Sequence, residues 1–112
     1  MNTALKKKFI NKIMAKKIYV SGKITGRDFQ EALKHFADAS AMLREKGYEV
    51  INPMELEHNH DQSWENFMRV DLQGMLECDS LYMLSGWADS RGARVEWNLA
   101  KDLGFEFLYE TY

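Results

Sequence analysis

Short apolar runs rich in β-branched and aromatic residues alternate along this chain with longer stretches in which apolar positions recur every three or four residues. Lys17-Ile18-Tyr19-Val20-Ser21 has the first signature and predicts a strand closed by Gly22. Asp28, with Glu31 three residues later, makes a capping-box pattern that opens a helix. Its inward positions Phe29, Ala32, Leu33, Phe36, Ser40 and Leu43 hold helical spacing until Gly47 stops it. Tyr48-Glu49-Val50-Ile51 is a second strand, ended by Asn52-Pro53. After a polar loop over residues 52–62, Ser63 caps a helix running to about Glu77, whose stripe Trp64, Phe67, Met68, Leu72, Met75 and Leu76 contains one acid, Asp71. Ser80-Leu81-Tyr82-Met83-Leu84 is a third strand, followed by a loop from Ser85 to Asp89. Ser90 begins a helix to about Leu103, Gly104 ends it, and Phe105-Glu106-Phe107-Leu108 supplies a last strand.

Strands alternating with helices through short loops predict an α/β fold: a small doubly wound parallel sheet, flavodoxin- or Rossmann-like, with helices on both faces. Ligands of such sheets sit at the carboxyl ends of the strands, where strand order reverses. The loops after the first and third strands and the helix beginning at Ser90 are therefore expected to converge on one crevice.

The 112 residues suit a single domain, and 46% hydrophobic with 29% charged residues is the balance of a chain that folds. Residues 1–16, with Lys6-Lys7-Lys8, Lys12 and Lys16, differ in composition from the domain expected over 17–112. They read as a flexible basic extension, as a helix docking on a partner chain, or as a contact for an acidic polymer. With 15 basic against 17 acidic residues the net charge is -2, which argues against long nucleic acid as a partner and for a small ligand. Cys78 is the only cysteine, so no intrachain disulfide and no cysteine zinc site can form; it reads as a buried structural thiol. No apolar run approaches the roughly 20 residues of a membrane span. The N-terminus lacks a secretory leader pattern, so a reducing, cytoplasmic setting is expected.

Three clusters bear on chemistry. Ser21-Gly22-Lys23-Ile24-Thr25-Gly26 lies between a strand and a capped helix, where backbone N–H groups, Lys23 and Thr25 suit a phosphate or sugar hydroxyl; it also serves as a plain tight turn. Its spacing is neither that of the P-loop nor that of the dinucleotide fingerprint. In Ser90-Arg91-Gly92-Ala93-Arg94-Val95-Glu96, the glutamate falls on the same side of the helix as Ala93 and Ala100, the small residues that pack toward the sheet. Asp71 sits likewise within an apolar stripe, and a carboxylate so placed is costly unless it is hydrogen-bonded. With Tyr19 as a donor the two form an acid pair, or each is a structural acid at a stripe margin. His58-Asn59-His60-Asp61 has metal-ligand residue types without the helical spacing that fixes them, and reads as a solvated loop with no metal. Trp64 and Trp87 flank loops, where they can stack on a base or pack in the core.

Three ordered pieces, Ile18 to Gly26, Asp71 to Asp79, and Ser90-x-Gly92-x-x-x-Glu96 with Ala100, resemble the nucleoside 2-deoxyribosyltransferase-like proteins, which include 2'-deoxynucleoside 5'-monophosphate N-glycosidases. The resemblance spans roughly Lys17 to Leu108. It implies an enzyme that cleaves the N-glycosidic bond of a 2'-deoxynucleoside or its 5'-monophosphate, as an N-glycosidase or as a deoxyribosyltransferase, without a cofactor. Glu96 would be the nucleophile at C1' and ionised, Tyr19 its orienting donor, and Asp71 the protonated acid near the leaving base. Gly22, Lys23, Thr25, Gly26, Ser90 and Gly92 would line the sugar and the 5'-phosphate. A homo-oligomer, with a neighbouring chain completing the pocket, is also implied, and the wide stripe of the Ser63–Glu77 helix suggests a surface for it. Two departures from the family pattern bear on substrate fit: Asn98 stands where members often have glycine, and Arg94 and Trp97 bracket Glu96 with bulk. A non-catalytic module that binds or senses a nucleotide on the same fold is the alternative.

Overall fold

In the computed structural model, which describes residues 3–4 and 16–111, the strand β1 (Lys17–Ser21) is covered on both sides. Such a strand reads as a continuous apolar run because neither face is wet. Its alternate residues nevertheless go to different neighbours. Ile18 and Val20 join Phe36, Ala39 and Leu43 of helix α1 (Phe29–Glu45), together with Leu84. Tyr19 lies on the other face with Met75, Leu81, Met83 and Ala100.

The remaining elements are β2 (Glu49–Ile51), α2 (Trp64–Met75), β3 (Ser80–Met83), α3 (Arg91–Asp102) and β4 (Glu106–Tyr109). All four strands pair in parallel in the order β2-β1-β3-β4, with Ile18 opposite both Val50 and Ser80. The chain steps outward from β1 to β2, then returns past β1 to β3. Right-handed crossovers in these opposite directions put the connecting helices on opposite faces, which is why α1 covers one side and α2 and α3 the other. The reversal lies between β1 and β3, so their carboxyl ends diverge there and leave a crevice.

Two strands begin one residue later than the periodicity predicts, for one reason. Gly47 has a left-handed φ of 94° and lets Tyr48 N–H return to the Leu43 carbonyl at 3.2 Å, while its own N–H reaches Arg44 O at 2.9 Å. Gly104, at φ 75°, repeats the device with Phe105 N–H on Ala100 O at 2.9 Å. Tyr48 and Phe105 thus spend their donors closing a Schellman motif, and the sheet ladder starts at the next residue.

The three expected caps form. Asp28, Ser63 and Ser90 each accept from a backbone N–H three residues on, at 2.9, 3.2 and 3.2 Å. The loop expected over 52–62 contains a short 3-10 turn, Pro53–Glu55, started by Asn52 accepting from Met54 N–H. Cys78 is buried, and burial pushes its thiol up to about 12, as befits a structural thiol. Most of the basic extension expected over residues 1–16 lies outside the described residues. Lys16 lies within them; its carbonyl accepts from Glu49 N–H and its ammonium pairs with Glu106. Among the described residues no helix is long and apolar enough to cross a membrane.

Candidate active site

Helix α3 starts at the crevice because Ser90 caps it there, and its buried positions Ala93, Glu96 and Ala100 follow helical spacing against the sheet. The two alanines let the helix approach closely, and Glu96 is carried down with them to 5% exposure. Tyr19 and Ser21 are two residues apart on β1 and therefore project from the same face toward it. Tyr19 Oη donates to Glu96 Oε2 at 2.5 Å, and Ser21 Oγ donates to Oε1 at 2.8 Å. Each carboxyl oxygen is thus held by one hydroxyl. Ser21 has no place among the site residues expected from the sequence, yet the signal was present: the period of two that puts Tyr19 in the site puts Ser21 there as well.

Asp71 comes from α2, whose buried side is Met68, Asp71, Gly74 and Met75. Gly92 of α3 faces Met68, and a Cβ at residue 92 would meet its Sδ at 3.1 Å, so the glycine sets how closely these two helices lie. Asp71 is 9% exposed, and its Oδ1 is buried without a hydrogen-bond partner among the described residues. His58 Nε2 stands 3.5 Å from that oxygen, at the outer limit for a hydrogen bond. The loop expected to be solvated is thus folded over the site: His58 and His60 both pack on Phe67 of α2, at 4.7 and 4.8 Å between ring centroids. Aromatic packing, invisible to a reading that looked for ligand spacing, draws it in. Among the described residues no group of three or more His, Cys, Asp or Glu could hold a metal ion.

The electrostatics follow from burial. Loss of solvent drives Glu96 up to about 8; the Tyr19 and Ser21 hydroxyls pull it back, and the nearby Asp71 charge raises it further. Asp71 is driven up to about 7, again by burial, with His60 opposing. Burial and the Glu96 charge hold the Tyr19 hydroxyl well above its usual range, so it remains a donor. The rise at Asp71 is in the direction of the protonated acid expected of it. Glu96 departs from the expectation of an ionised carboxylate: burial raises it as well, because two hydroxyl donors do not replace the water it has lost.

Around this pair lies a cavity of about 770 Å³, whose wall includes Tyr19, Gly22, Lys23, Thr25, Asp71, Ser90, Gly92 and Glu96. That volume is in the range of small-ligand pockets. Of the residues expected to line it only Gly26 is absent from the wall; at φ 83° it serves the turn that leads into α1. Gly22 is needed for packing, since a Cβ there would come within 2.9 Å of Leu84. Arg91 and Trp64, neither expected as a fixed pair, meet across the mouth with the guanidinium 3.7 Å from the ring centroid. Trp87 instead stacks on Trp97 at 5.7 Å, outside the cavity. The bulk flanking Glu96 also points away: Arg94 donates to Ala88 O, Trp97 donates to Tyr109 Oη, and Asn98 donates to Arg94 O. Trp64, Phe67 and Met68, counted toward an outer surface for self-association, are cavity wall instead, and Leu76 at 55% exposure is what that stripe leaves open.

The family described as "Domain of unknown function (DUF4406)" matches residues 16–109. None of the curated proteins matches the sequence. Among solved structures, the chain is similar to the 2-deoxyribosyltransferase of the psychrotolerant bacterium Bacillus psychrosaccharolyticus, described as a biocatalyst for the industrial synthesis of antiviral and antitumoral nucleosides. The TM-score is 0.64 at 25% identity, over 83% of this chain and 70% of that one. The resemblance to deoxyribosyltransferase-like proteins read from three short motifs therefore has a structural counterpart over most of the chain.

Proposed function

The chain belongs to the DUF4406 family, and from that premise and the geometry of its pocket we propose that it cleaves the N-glycosidic bond of a 2'-deoxynucleoside or its 5'-monophosphate. The observation that carries the proposal is Glu96, buried at the cavity wall with each oxygen held by a hydroxyl, beside a second carboxyl, Asp71, whose Oδ1 has no hydrogen-bond partner among the described residues. A retaining displacement needs one carboxylate and one carboxylic acid flanking the scissile bond. The pair holds one proton in the reactive form. Burial makes Asp71, at about 7, easier to ionise than Glu96, at about 8. The two hydroxyls on Glu96 nevertheless match its charged form, and a base nitrogen beside Asp71 draws the proton there, so in this reading the charge lies on Glu96 and the proton on Asp71.

Glu96 Oε then attacks C1', the C1'–N bond breaks, and Asp71 passes its proton to the leaving base nitrogen. Water attacks C1' of the resulting ester and returns a proton to Asp71, releasing the sugar and the Glu96 carboxylate; an incoming base in place of water gives transfer. The solved relative, a 2-deoxyribosyltransferase, supports nucleoside chemistry of this class. Lys23, Thr25, Ser90 and the α3 N-terminus supply donors for a sugar hydroxyl or a 5'-phosphate. The buried free thiol of Cys78 suits a reducing compartment, in keeping with a cytoplasmic enzyme.

Incubating the protein with a panel of 2'-deoxynucleosides and their 5'-monophosphates, with and without a second base, and measuring free and exchanged base by chromatography tests this. Release or exchange is expected. Thermal stabilisation by a nucleotide with no release would instead mark a binding module. The proposed assembly is a homo-oligomer, so light scattering at micromolar concentration should give about twice the 13.1 kDa chain mass or a higher multiple. A monomer with full activity would show that one chain builds the whole pocket.

A further inference from the structure

We propose that Arg27, His35 and Glu110 form a hydrogen-bonded brace joining the loops that follow β1 and β3, and that His35 is thereby a positioning residue for the Lys23 loop at the cavity wall. The brace stands on geometry alone; its part in substrate binding rests on the glycosidase reading above.

The sheet itself cannot hold these loops. Among the described residues its backbone pairing ends with Leu84 N–H on Ser21 O at 2.8 Å and Glu110 N–H on Met83 O at 2.9 Å. Beyond that point the chain leaves β1 for Lys23, Ile24 and Thr25 and leaves β3 for residues 85–89, and both segments reach the cavity wall. Glu110 stands just past β4, two residues after Leu108, which packs toward the α1 face. The period of two turns its carboxylate to that same face, where it meets His35 of α1.

The hydrogen-bond directions follow from Arg27, which can only donate. Its Nη1 carries two hydrogens and has two acceptors, the Lys23 carbonyl at 3.2 Å and His35 Nδ1 at 3.1 Å. His35 Nδ1 therefore presents its lone pair, and the ring hydrogen sits on Nε2, which donates to Glu110 at 2.9 Å from Oε1 and 3.0 Å from Oε2. Oε1 also accepts from Ser85 N–H at 2.8 Å. One line of matched donors and acceptors thus runs from the Lys23 carbonyl to the Ser85 amide. Burial pushes the Glu110 carboxyl up, but the Ser85 N–H and His35 bonds together pull it below its usual range, so it stays the charged acceptor that the line requires. His35 and Glu110 are only 23% and 24% exposed, which limits competition from water. Arg27 N–H closes the turn on Ile24 O at 3.2 Å as well, so Arg27 pins the loop through both its backbone and its side chain. A loop already held in place gives up less freedom when a ligand arrives. The brace should therefore act on affinity, whereas Glu96 and Asp71 stand on other elements and keep their chemistry.

His35→Leu removes both ring bonds, while His35→Gln can accept from Arg27 through its carbonyl and donate to Glu110 through its amide. In ¹⁵N relaxation measurements, the order parameters of Lys23, Ile24 and Thr25 should fall from about 0.85 toward about 0.6 in His35→Leu and in Glu110→Ala, and recover in His35→Gln. Ser85 should loosen only in Glu110→Ala, since Glu110 still accepts from it when His35 is replaced. In base-release kinetics with the four common 2'-deoxynucleoside 5'-monophosphates, His35→Leu should raise KM about fivefold, the scale of one hydrogen bond, with kcat within about twofold. His35→Gln should return KM to within about twofold of the wild type. Calorimetry with the same monophosphates on Glu96→Gln, with and without His35→Leu, reads affinity where nothing turns over. Order parameters of the Lys23 loop unmoved by both His35→Leu and Glu110→Ala overturn the brace. A looser loop with KM unchanged, a fall in kcat at constant KM, or a loss that His35→Gln does not restore removes the positioning role. If the loop loosens and the monophosphates bind more weakly while the wild type releases no base, the glycosidase reading fails and the brace stands.

Discussion

The two faces of β1 meet very different surroundings. On one, Ile18 and Val20 pack against Phe36, Ala39 and Leu43 of α1 in a cluster whose buried residues are all apolar. On the other, one residue along, Tyr19 and Ser21 hold the buried carboxyl of Glu96, and Asp71 lies beside it. Burial serves opposite ends on the two sides. For the apolar face it is the stabilising term itself, on the order of 25 cal/mol per Å² removed from water. For the polar face it opposes folding, since the carboxyls give up solvation that two hydroxyls restore only in part. A site of this kind is sustained by the core behind it, and the two faces should therefore separate cleanly under mutation.

The largest effect belongs to the polar face. Glu96→Gln keeps the shape, its carbonyl oxygen accepting from one of the two hydroxyls and its amide N–H donating to the other, but it cannot form the ester at C1'. Base release should fall at least about a thousandfold, the scale on which loss of a nucleophile is felt, with the fold intact by circular dichroism. Wild-type turnover in pure Glu96→Gln would end the nucleophile assignment. On the other face, Phe36→Ala should cost about 3–5 kcal/mol in urea denaturation, the usual range for emptying a buried aromatic site. Base release per folded molecule should stay within about twofold. A matching collapse of kcat in the folded fraction would mean that the two faces are not independent.

The contrast also marks what could be read from the chain in advance. The elements, the caps and the crevice were legible because period, cap residues and stop glycines agree locally, and agreement across levels is what specifies a fold. Glu96 and Asp71 were legible for the opposite reason: each breaks its own stripe. What escaped was set by distance along the chain. His58 reaches Asp71 only because Phe67 gathers the loop, and Arg91 meets Trp64 only because α2 and α3 lie side by side. The bulk of Arg94 and Trp97 looked obstructive, since a helix position names a neighbour but not the direction in which a long side chain leaves it.

The pH dependence of stability sharpens the comparison by a smaller amount. Glu96 and Asp71 hold their protons to about 8 and about 7 in the folded chain, whereas free carboxyls titrate near 4. The folded state thus binds more protons across that interval. Stability from these groups is full below about pH 4, declines as pH rises toward 8, and levels off above it. The decline is on the order of a few kcal/mol for each buried group. In urea melts from pH 5 to 8.5, Glu96→Gln should gain on the wild type steadily, while Phe36→Ala should lose a constant amount at every pH. A Glu96→Gln difference that does not grow with pH would show that the glutamate is already ionised in the folded chain at pH 5. In catalysis the same pair should give a bell-shaped kcat/KM with its maximum between about 7 and 8, whichever group holds the proton in the active form.

The smallest effect lies at the rim, where the loop from β1 reaches the cavity mouth. Lys23 and Thr25 line the wall there, opposite the N-terminus of α3 with Ser90 and Arg91. An anion in that gap meets a helix N-terminus and an ammonium together, whereas a bare sugar hydroxyl gains little from either. A 2'-deoxynucleoside 5'-monophosphate should therefore bind more tightly than its nucleoside. Lys23→Ala should weaken the monophosphate about tenfold and leave the nucleoside within about twofold, a single charge-assisted contact being worth about 1.5 kcal/mol or somewhat more. Since Lys23 belongs to neither core, its loss should leave the urea midpoint unchanged, which sets it apart from both earlier substitutions. Calorimetric titration of Glu96→Gln, which binds without turning over, gives the two affinities directly. Equal affinity for both ligands, untouched by Lys23→Ala, would move the phosphate out of this gap and leave the nucleoside as the substrate.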